Sequence, residues 1–336
     1  MVKADAYGLG LRQVAPVLTR AGCATFFVAH ASEGVALRET LGRGCAILVL
    51  NGGPLDDDAM ALFQTHGLEP VLSSLPEVAF WAKARQSGAA LPGCAVHFDT
   101  GLNRLGLHAR DSEAARAVSP RLVMSHFIVS ETVNDPNNAA QIARFAEIRA
   151  AFPQAKASLA NSSGIFLGAA ALHDLVRPGF ALYGGNPCPG SLNPMRNVVR
   201  LDVPLLLLRD VAPGETIGYG GHFTAPRAMR VATLPLGYAD GFARLAAAPA
   251  PDAKTGAFAI LEGRACPFLG RVSMDLSVID VSAVPHAALH PGMMAQILGP
   301  DITIDDCAAR TGRIGYEVLT SLGRRFQRVY EETGTE

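Results

Sequence analysis

Short apolar runs separated by helix-period segments repeat along the first half of the chain. The runs fall at residues 25–29, 46–50, 69–72, 95–98, 121–125, 156–160 and 175–177. Apolar runs of strand length alternating with amphipathic stretches predict βα units around a parallel sheet. One such stretch spans 138–151, where Ile142, Phe145, Ala146 and Ile148 share a face and Arg144 and Arg149 lie off it. With a stub at Met1 and Val2 the strands number eight, which predicts an α/β fold, a (β/α)8 TIM-type barrel, with a doubly wound sheet as the competing arrangement. The texture changes at Gly184, Gly185, Pro187, Pro189, Gly190 and Pro194, a turn-rich stretch that predicts a boundary near residue 195. Beyond it, β-like runs at 203–208, 230–234, 258–261 and 276–281 precede only short helical candidates near the end. The expectation is a barrel over 1–195 and a mainly β domain over 196–336.

Composition narrows the functional classes. Of 336 residues, 49% are hydrophobic and 18% charged, so the chain can bury a large core and is far from the signature of disorder. Lys plus Arg number 29 against 30 for Asp plus Glu, so no bulk field favours nucleic acid or an anionic membrane. Any anion site must be local. Uncharged stretches such as 158–172 are interrupted by Asn161, Ser162, Ser163, Gly164 and Gly168, so no membrane span is expected. The opening residues lack the basic-then-apolar layout of a signal peptide, which predicts a cytoplasmic protein. Six cysteines (Cys23, Cys45, Cys94, Cys188, Cys266, Cys307) form no C-x-x-C pair, so neither zinc nor a disulfide framework is expected, and the thiols are expected to be reduced and buried. His286 and His290 have helix-face spacing but no acidic partner of the H-E-x-x-H kind, so no metal site is expected.

A barrel's chemistry sits where its strands end, so the residues just after each run are the candidates. Lys3 follows the first stub, with Tyr7 four residues on and Gly8 and Gly10 before a helix; the bland alternative is a surface lysine on a loose terminus. The run His97-Phe98-Asp99 leads to Arg104, whose planar fork suits a carboxylate. His126 ends the next strand, where a single histidine is more often a satisfied structural residue than a catalytic one. Ala160 to Gly164 and Arg177 to Phe180 follow the last two strands, the loops where barrels bind phosphate; each alone reads as an ordinary cap or turn, and together they point to a phosphate-bearing cofactor. In the second domain three of the chain's six tyrosines, Tyr219, Tyr238 and Tyr316, stand beside glycine. Turn tyrosines would explain each singly.

These motifs, in this order, resemble the bacterial alanine racemases: residues 2–10, 99–106, 125–127, 160–163, 177–184, 237–241, 271–275 and 316–322 all match, across both domains. The resemblance implies pyridoxal 5'-phosphate (PLP), an N-terminal barrel and a C-terminal β domain. It implies that Lys3 carries PLP as a Schiff base and is one proton-transfer base, and that Tyr219, from the other subunit of a homodimer with shared active sites, is the second. Tyr7, Ser162, Tyr316 and the backbone of Gly179 and Phe180 match the phosphate-binding positions. Arg177 matches the cation facing the pyridine nitrogen, His126 the residue bonded to the catalytic tyrosine, and Arg104 the group near the cofactor's phenolic oxygen and the substrate carboxylate. The Met274 backbone matches a further carboxylate contact, and Tyr238, Arg244 and Arg271 line the substrate's way in. The activity implied is interconversion of L- and D-alanine by two-base proton transfer, supplying D-alanine for peptidoglycan.

Two departures stand out. His97 occupies a position where the family often has a carbamylated lysine, which leaves His97 itself as a candidate for orienting Arg104. Only Met1 and Val2 precede Lys3, so the first strand is expected to miss ladder bonds to its neighbours and the start to be too late. The competing readings are a broad-specificity amino-acid racemase, a decarboxylase on the same barrel, and a non-catalytic PLP-binding protein. Tyr219 and His126 speak against decarboxylation, and the second domain speaks against a bare PLP carrier.

Overall fold

A computed structural model describes residues 1–247 and 256–331. The chain divides into two compact units, Met1–Leu182 with Asn186–Pro194, and Tyr183–Gly185 with Met195–Glu336. In the first unit six parallel strands pair in sequence order: β1 (Thr25–Val28), β2 (Ala46–Val49), β3 (Glu69–Leu72), β4 (Ala95–His97), β5 (Leu122–Met124) and β6 (Lys156–Ser158). Each matches an apolar run, and all but β3 are trimmed by a residue or two where the chain leaves the ladder. The helices are α1 (Lys3–Tyr7), α2 (Leu11–Arg20), α3 (Ala31–Leu41), α4 (Asp57–His66), α5 (Leu75–Gln86), α6 (Ser112–Arg116), α7 (Pro136–Ala150) and α8 (Ala169–Leu172).

Both faces of this sheet are apolar because both are covered, which is why its strands read as continuous runs rather than alternating ones. Phe27, Leu48, Val71, Ala95, Leu122 and Met124 pack together as one cluster, each one residue away from strand neighbours that face the other way. Leu72, Val96 and Val123 join Trp81 of α5 and Phe145 and Ile148 of α7 in the layer between sheet and helices. The helices start where short polar side chains can satisfy free amides. Asp56 accepts from the Ala59 amide at 2.8 Å, and Asp135 from that of Asn137 at 2.9 Å with Pro136 next in line.

Residues 175–177, expected as a strand, run beside β6 without forming a regular ladder: the Leu175 amide bonds the Ala157 carbonyl at 3.2 Å and the Arg177 amide that of Ala160 at 2.9 Å. The stub at Met1 and Val2 likewise forms no regular strand and makes a single bond on each side. Val2 donates to the Phe27 carbonyl and the Met1 amino group to that of Pro178, each at 3.0 Å. Val2 is wholly buried.

The second unit is an antiparallel sheet in the order β7-β15-β12-β13-β14-β11-β8, plus a hairpin of β9 and β10. Its strands are β7 (Leu201–Pro204), β8 (Leu207–Val211), β9 (Thr216–Ile217), β10 (Phe223–Thr224), β11 (Met229–Leu234), β12 (Phe258–Leu261), β13 (Arg264–Leu269), β14 (Ser277–Asp280) and β15 (Met294–Leu298). The single run expected at 203–208 is divided between β7 and β8, and β9, β10, β13 and β15 were not anticipated. Helices α9 (Ile304–Thr311) and α10 (Gly315–Thr320) close the unit. Among the described residues no helix is long and apolar enough to cross a membrane. All six cysteines are free; Cys94, Cys266 and Cys307 are buried, whereas Cys23, Cys45 and Cys188 are partly exposed, so burial holds for only half of them.

Candidate active site

Lys3 opens a left-handed turn. Ala4, Asp5, Ala6 and Tyr7 have φ of 53, 53, 54 and 57°, and Gly8 follows at 82°. Left-handed helical backbone costs an L-residue about 1–2 kcal/mol, so four in succession persist only where the surroundings impose them. The turn is tied internally by Ala6 to Val2, Gly8 to Ala4 and Gly10 to Asp5 backbone bonds of 2.8–2.9 Å, and from outside by Glu33 Oε1, which accepts from the Ala4 amide at 2.5 Å. Burial, then Arg104, pulls the half-buried Lys3 amine below its usual range, while Glu33 pulls it up.

Around the same end of the barrel, buried polar side chains stitch neighbouring loops together. Ser125 and Thr100 hydroxyls lie 2.7 Å apart. Gln141 of α7 donates to Thr100 Oγ1 at 3.0 Å and to the His126 carbonyl at 2.9 Å, and accepts from the Ile128 amide. Asp99 gathers the amides of Gly101, Leu102 and Asn103 and thereby folds the loop that presents exposed Arg104. Ser162 Oγ accepts from the Gly179 amide at 3.0 Å and the Ala181 amide at 3.2 Å.

Arg177 is the centre of this end. It is buried, and its guanidinium donates to Ser158 Oγ at 2.5 Å, Ser125 carbonyl at 2.6 Å and Leu159 carbonyl at 3.3 Å, with His126 Nδ1 at 3.4 Å. Among the described residues no carboxylate pairs with it. Burial lowers its pKa to about 10, which leaves it a cation at neutral pH. The same burial, with Arg177 and Arg104 nearby, pushes His126 down to about 3, so its imidazole is neutral. Because Arg177 can only donate, Nδ1 of His126 accepts and the ring proton sits on Nε2. His97 is held down to about 4 by burial first and then Arg177, and it makes no hydrogen bond to Arg104, so it does not orient that side chain directly.

In the second unit Tyr219 stands at the tip of the β9–β10 hairpin, where Gly218, Gly220 and Gly221 take φ of 77, 74 and 58°. A turn with three left-handed positions needs glycine, and it leaves the tyrosine 76% exposed. Tyr219, Tyr238, Arg244, Arg271 and Met274 line one open cavity of about 350 Å³. The loop holding Met274 lies against the Gly237 turn, with the Tyr238 amide on the Ser273 carbonyl and the Ala239 amide on that of Met274, both at 3.0 Å. Tyr316, at the start of α10, is partly exposed and is not among the residues lining that cavity.

Two family models match this chain in order. The one described as alanine racemase, N-terminal domain, covers residues 1–187, and the one described as alanine racemase, C-terminal domain, covers residues 198–330. The chain belongs to the alanine racemase family. An alanine racemase of Methylobacterium nodulans is 48% identical over 340 residues, covering 99% of this chain and 89% of that protein. The catabolic alanine racemase of Mesorhizobium japonicum is 44% identical, covering 98% of this chain and 86% of its own length. Among solved structures, the alanine racemase of Bartonella henselae with covalently bound pyridoxal phosphate matches at a TM-score of 0.89 and 32% identity, over 98% of this chain and 91% of that one. The biosynthetic alanine racemase of Pseudomonas aeruginosa matches at 0.86 and 30% identity, with the same coverage. The fold is therefore the family's TIM-type barrel with a C-terminal β domain, and PLP is the family's cofactor.

The residues of this chain fit PLP. A half-buried lysine with a depressed amine can hold an aldehyde, and a buried guanidinium without a carboxylate suits a ring nitrogen that carries no proton. A Cβ on Gly179 would lie 2.3 Å from the Tyr7 hydroxyl, so a side chain there is barred and Tyr7 comes directly against the Gly179 backbone that Ser162 also bonds. Of the residues singled out in the sequence, Arg104 lowers the Lys3 amine, Arg177, Arg104 and Lys3 lower His126, and Ser162 bonds the Gly179 amide. Sequence reasoning gave no role to Glu33, Thr100, Ser125, Gln141 or Ser158, although Thr100 and Ser125 lie inside the matched stretches 99–106 and 125–127 and Glu33 stands three residues after His30 at a helix start.

Proposed function

We propose that this chain is a PLP-dependent alanine racemase that interconverts L- and D-alanine with Lys3 and Tyr219 as opposed bases. The observation that carries the reading is the pairing, at one end of the barrel, of a lysine whose amine is depressed with a buried Arg177 that no carboxylate neutralises. When bound, PLP supplies the electron sink that acidifies the α-hydrogen of the amino acid. Lys3 would hold it, with Ser162, Tyr7, Tyr316 and the Gly179 and Phe180 backbone on its phosphate. Arg177, a permanent cation, would keep the ring nitrogen unprotonated and so limit transamination.

Lys3 takes or returns a proton at Nζ on one face, and Tyr219 does so at its hydroxyl on the other. A phenol with a reference pKa near 10 serves as a base at neutral pH only if it is lowered by about 3, which requires about 4 kcal/mol of differential stabilisation. The proton on Nε2 of neutral His126, with Arg177 behind it, is suited to stabilise a phenolate. Arg104 and the Met274 backbone would hold the substrate carboxylate, and Tyr238, Arg244 and Arg271 would line its approach. We take the working form to be a homodimer in which Tyr219 comes from the second copy; its 76% exposure supports this, since a base needs shelter from water.

The reading is tested by following loss of optical rotation from L-alanine with PLP-loaded protein, then reducing with borohydride and mapping the label. A pyridoxyl group on Lys3 with racemisation is expected; a label on another lysine, or no racemisation, overturns it. D-alanine supply to the cell wall is the role we propose, and deletion should then make growth depend on added D-alanine.

A further inference from the structure

The left-handed turn after Lys3 needs an external restraint, and one side chain is placed to supply it. Glu33, the third residue of α3, divides its carboxylate between two loops. Oε1 accepts from the Ala4 amide at 2.5 Å, and Oε2 accepts from the Ala29 amide at 2.7 Å and the His30 amide at 3.1 Å. The Ala4 amide belongs to the peptide that joins Lys3 to the turn. Fixing that peptide plane fixes the backbone rotation at Lys3, and with it the direction in which the side chain leaves the barrel rim.

We propose that Glu33 is the positioning residue for Lys3, clamping the lysine's own peptide to the end of β1 so that its amine stays at the height the proton transfer needs. This rests on the reading that Lys3 is the PLP-holding base. The charge of Glu33 adds a second influence, since it pulls the Lys3 amine up while burial and Arg104 pull it down. Lys3 in turn lowers His126.

The chain contains its own control. Glu77 is the third residue of α5 and also bridges two loops, accepting from the amides of Gly53 at 2.8 Å and Ser73 at 2.7 Å and from Ser74 Oγ at 3.0 Å. It performs the same backbone service without touching the Lys3 turn. A merely structural role predicts like effects from the two glutamates.

Glu33→Gln and Glu77→Gln are compared with the wild-type holoenzyme, which must first racemise alanine and carry its PLP on Lys3; if it does not, the underlying reading fails rather than this one. For Glu33→Gln we expect kcat to fall by about 10²-fold, the penalty of an ångström-scale misplacement, with little change in KM for alanine. PLP should dissociate faster. In protein stripped of PLP, acylation of Lys3 by an amine-directed reagent, read by mass spectrometry, should reach half its maximum at lower pH. Glu33→Asp should recover part of the shift in pH because it keeps the charge. Glu77→Gln should leave kcat and Lys3 labelling near wild type even if it lowers the melting temperature. Equal losses in the two Gln variants, or unchanged kcat and labelling in Glu33→Gln, overturn the proposal. One measurement survives failure of any variant to fold: in the wild type, the amides of Ala4, Ala29 and His30 should share slow deuterium exchange. An Ala4 amide that exchanges freely while the other two stay protected overturns it.

Discussion

The barrel end and the hairpin tip hold their candidate bases in opposite ways. Lys3 opens a left-handed turn from Ala4 to Tyr7 that Glu33 ties down, and Arg104 acts on its amine, so its position is set within its own unit. Tyr219 sits among three glycines and is exposed, and the cavity it shares with Tyr238, Arg244, Arg271 and Met274 is open, so its own unit leaves the side chain open to solvent. A base with its surroundings built in is pre-organised, whereas a base presented to solvent acquires its chemistry from whatever covers it. Under the proposed two-base reading, one unit would supply the fixed framework and the other a side chain aimed outward.

The sharpest way to break this contrast is Lys3→Ala. Racemisation should fall by ~10³-fold or more and PLP should no longer be retained covalently, because no other residue on the framework can replace the amine. Retained PLP on a different lysine would move the framework elsewhere. Next, Tyr219→Phe should slow α-deuterium washout from L-alanine by about 10²–10⁴-fold and from D-alanine far less. Mixing this variant with Lys3→Ala chains should restore activity in mixed dimers, and no recovery in demonstrably mixed dimers would place both bases in one subunit.

The framework should also fail in acid. His97 and His126 are held at about 4 and about 3, below the 6.5 they have when exposed, so both stay neutral in the folded state while the unfolded chain takes up protons. The stability they allow is intact above pH 6.5 and is lost as pH falls toward those lower values. From pH 7 to 5 each histidine should cost about 2 kcal/mol, read as a falling melting temperature. His97→Gln should flatten the pH dependence if this is right, and an unchanged slope would assign the acid sensitivity to other groups. The smallest effect is expected from Ser162→Ala. It leaves the Gly179 and Ala181 amides without their acceptor, and about 1–3 kcal/mol of stability should be lost, largely regained when PLP phosphate is added. No regain would separate Ser162 from the phosphate site.

Much of the first unit was legible because both faces of its sheet are covered, which writes each strand as an apolar run, and because barrel chemistry collects where strands end. His126 and Ser162 follow β5 and β6 and Arg104 lies in the loop after β4, whereas Lys3 and Arg177 follow extended segments that form no regular strand. In the second unit β13 (Arg264–Leu269) was missed because its exposed Arg264, Ala265 and Pro267 interrupt the apolar pattern, and β9 and β10 because two residues are too few to show any period.

What the order of residues determined by itself was local: the apolar periods, the helix starts, and the glycines that put Tyr219 on a tip. Tertiary structure alone decided which polar groups meet across long separations. Gln141 reaches Thr100, Arg177 reaches Ser125, and Glu33 reaches Ala4, over gaps of 41, 52 and 29 residues. Such pairs carry no spacing rule, because the distance between them is set by the closing of the barrel rather than by the pitch of a helix or strand. The left-handed turn at Ala4 to Tyr7 belongs to the same class: these are residues with no preference for that conformation, and they adopt it because the bonds around them do not permit another.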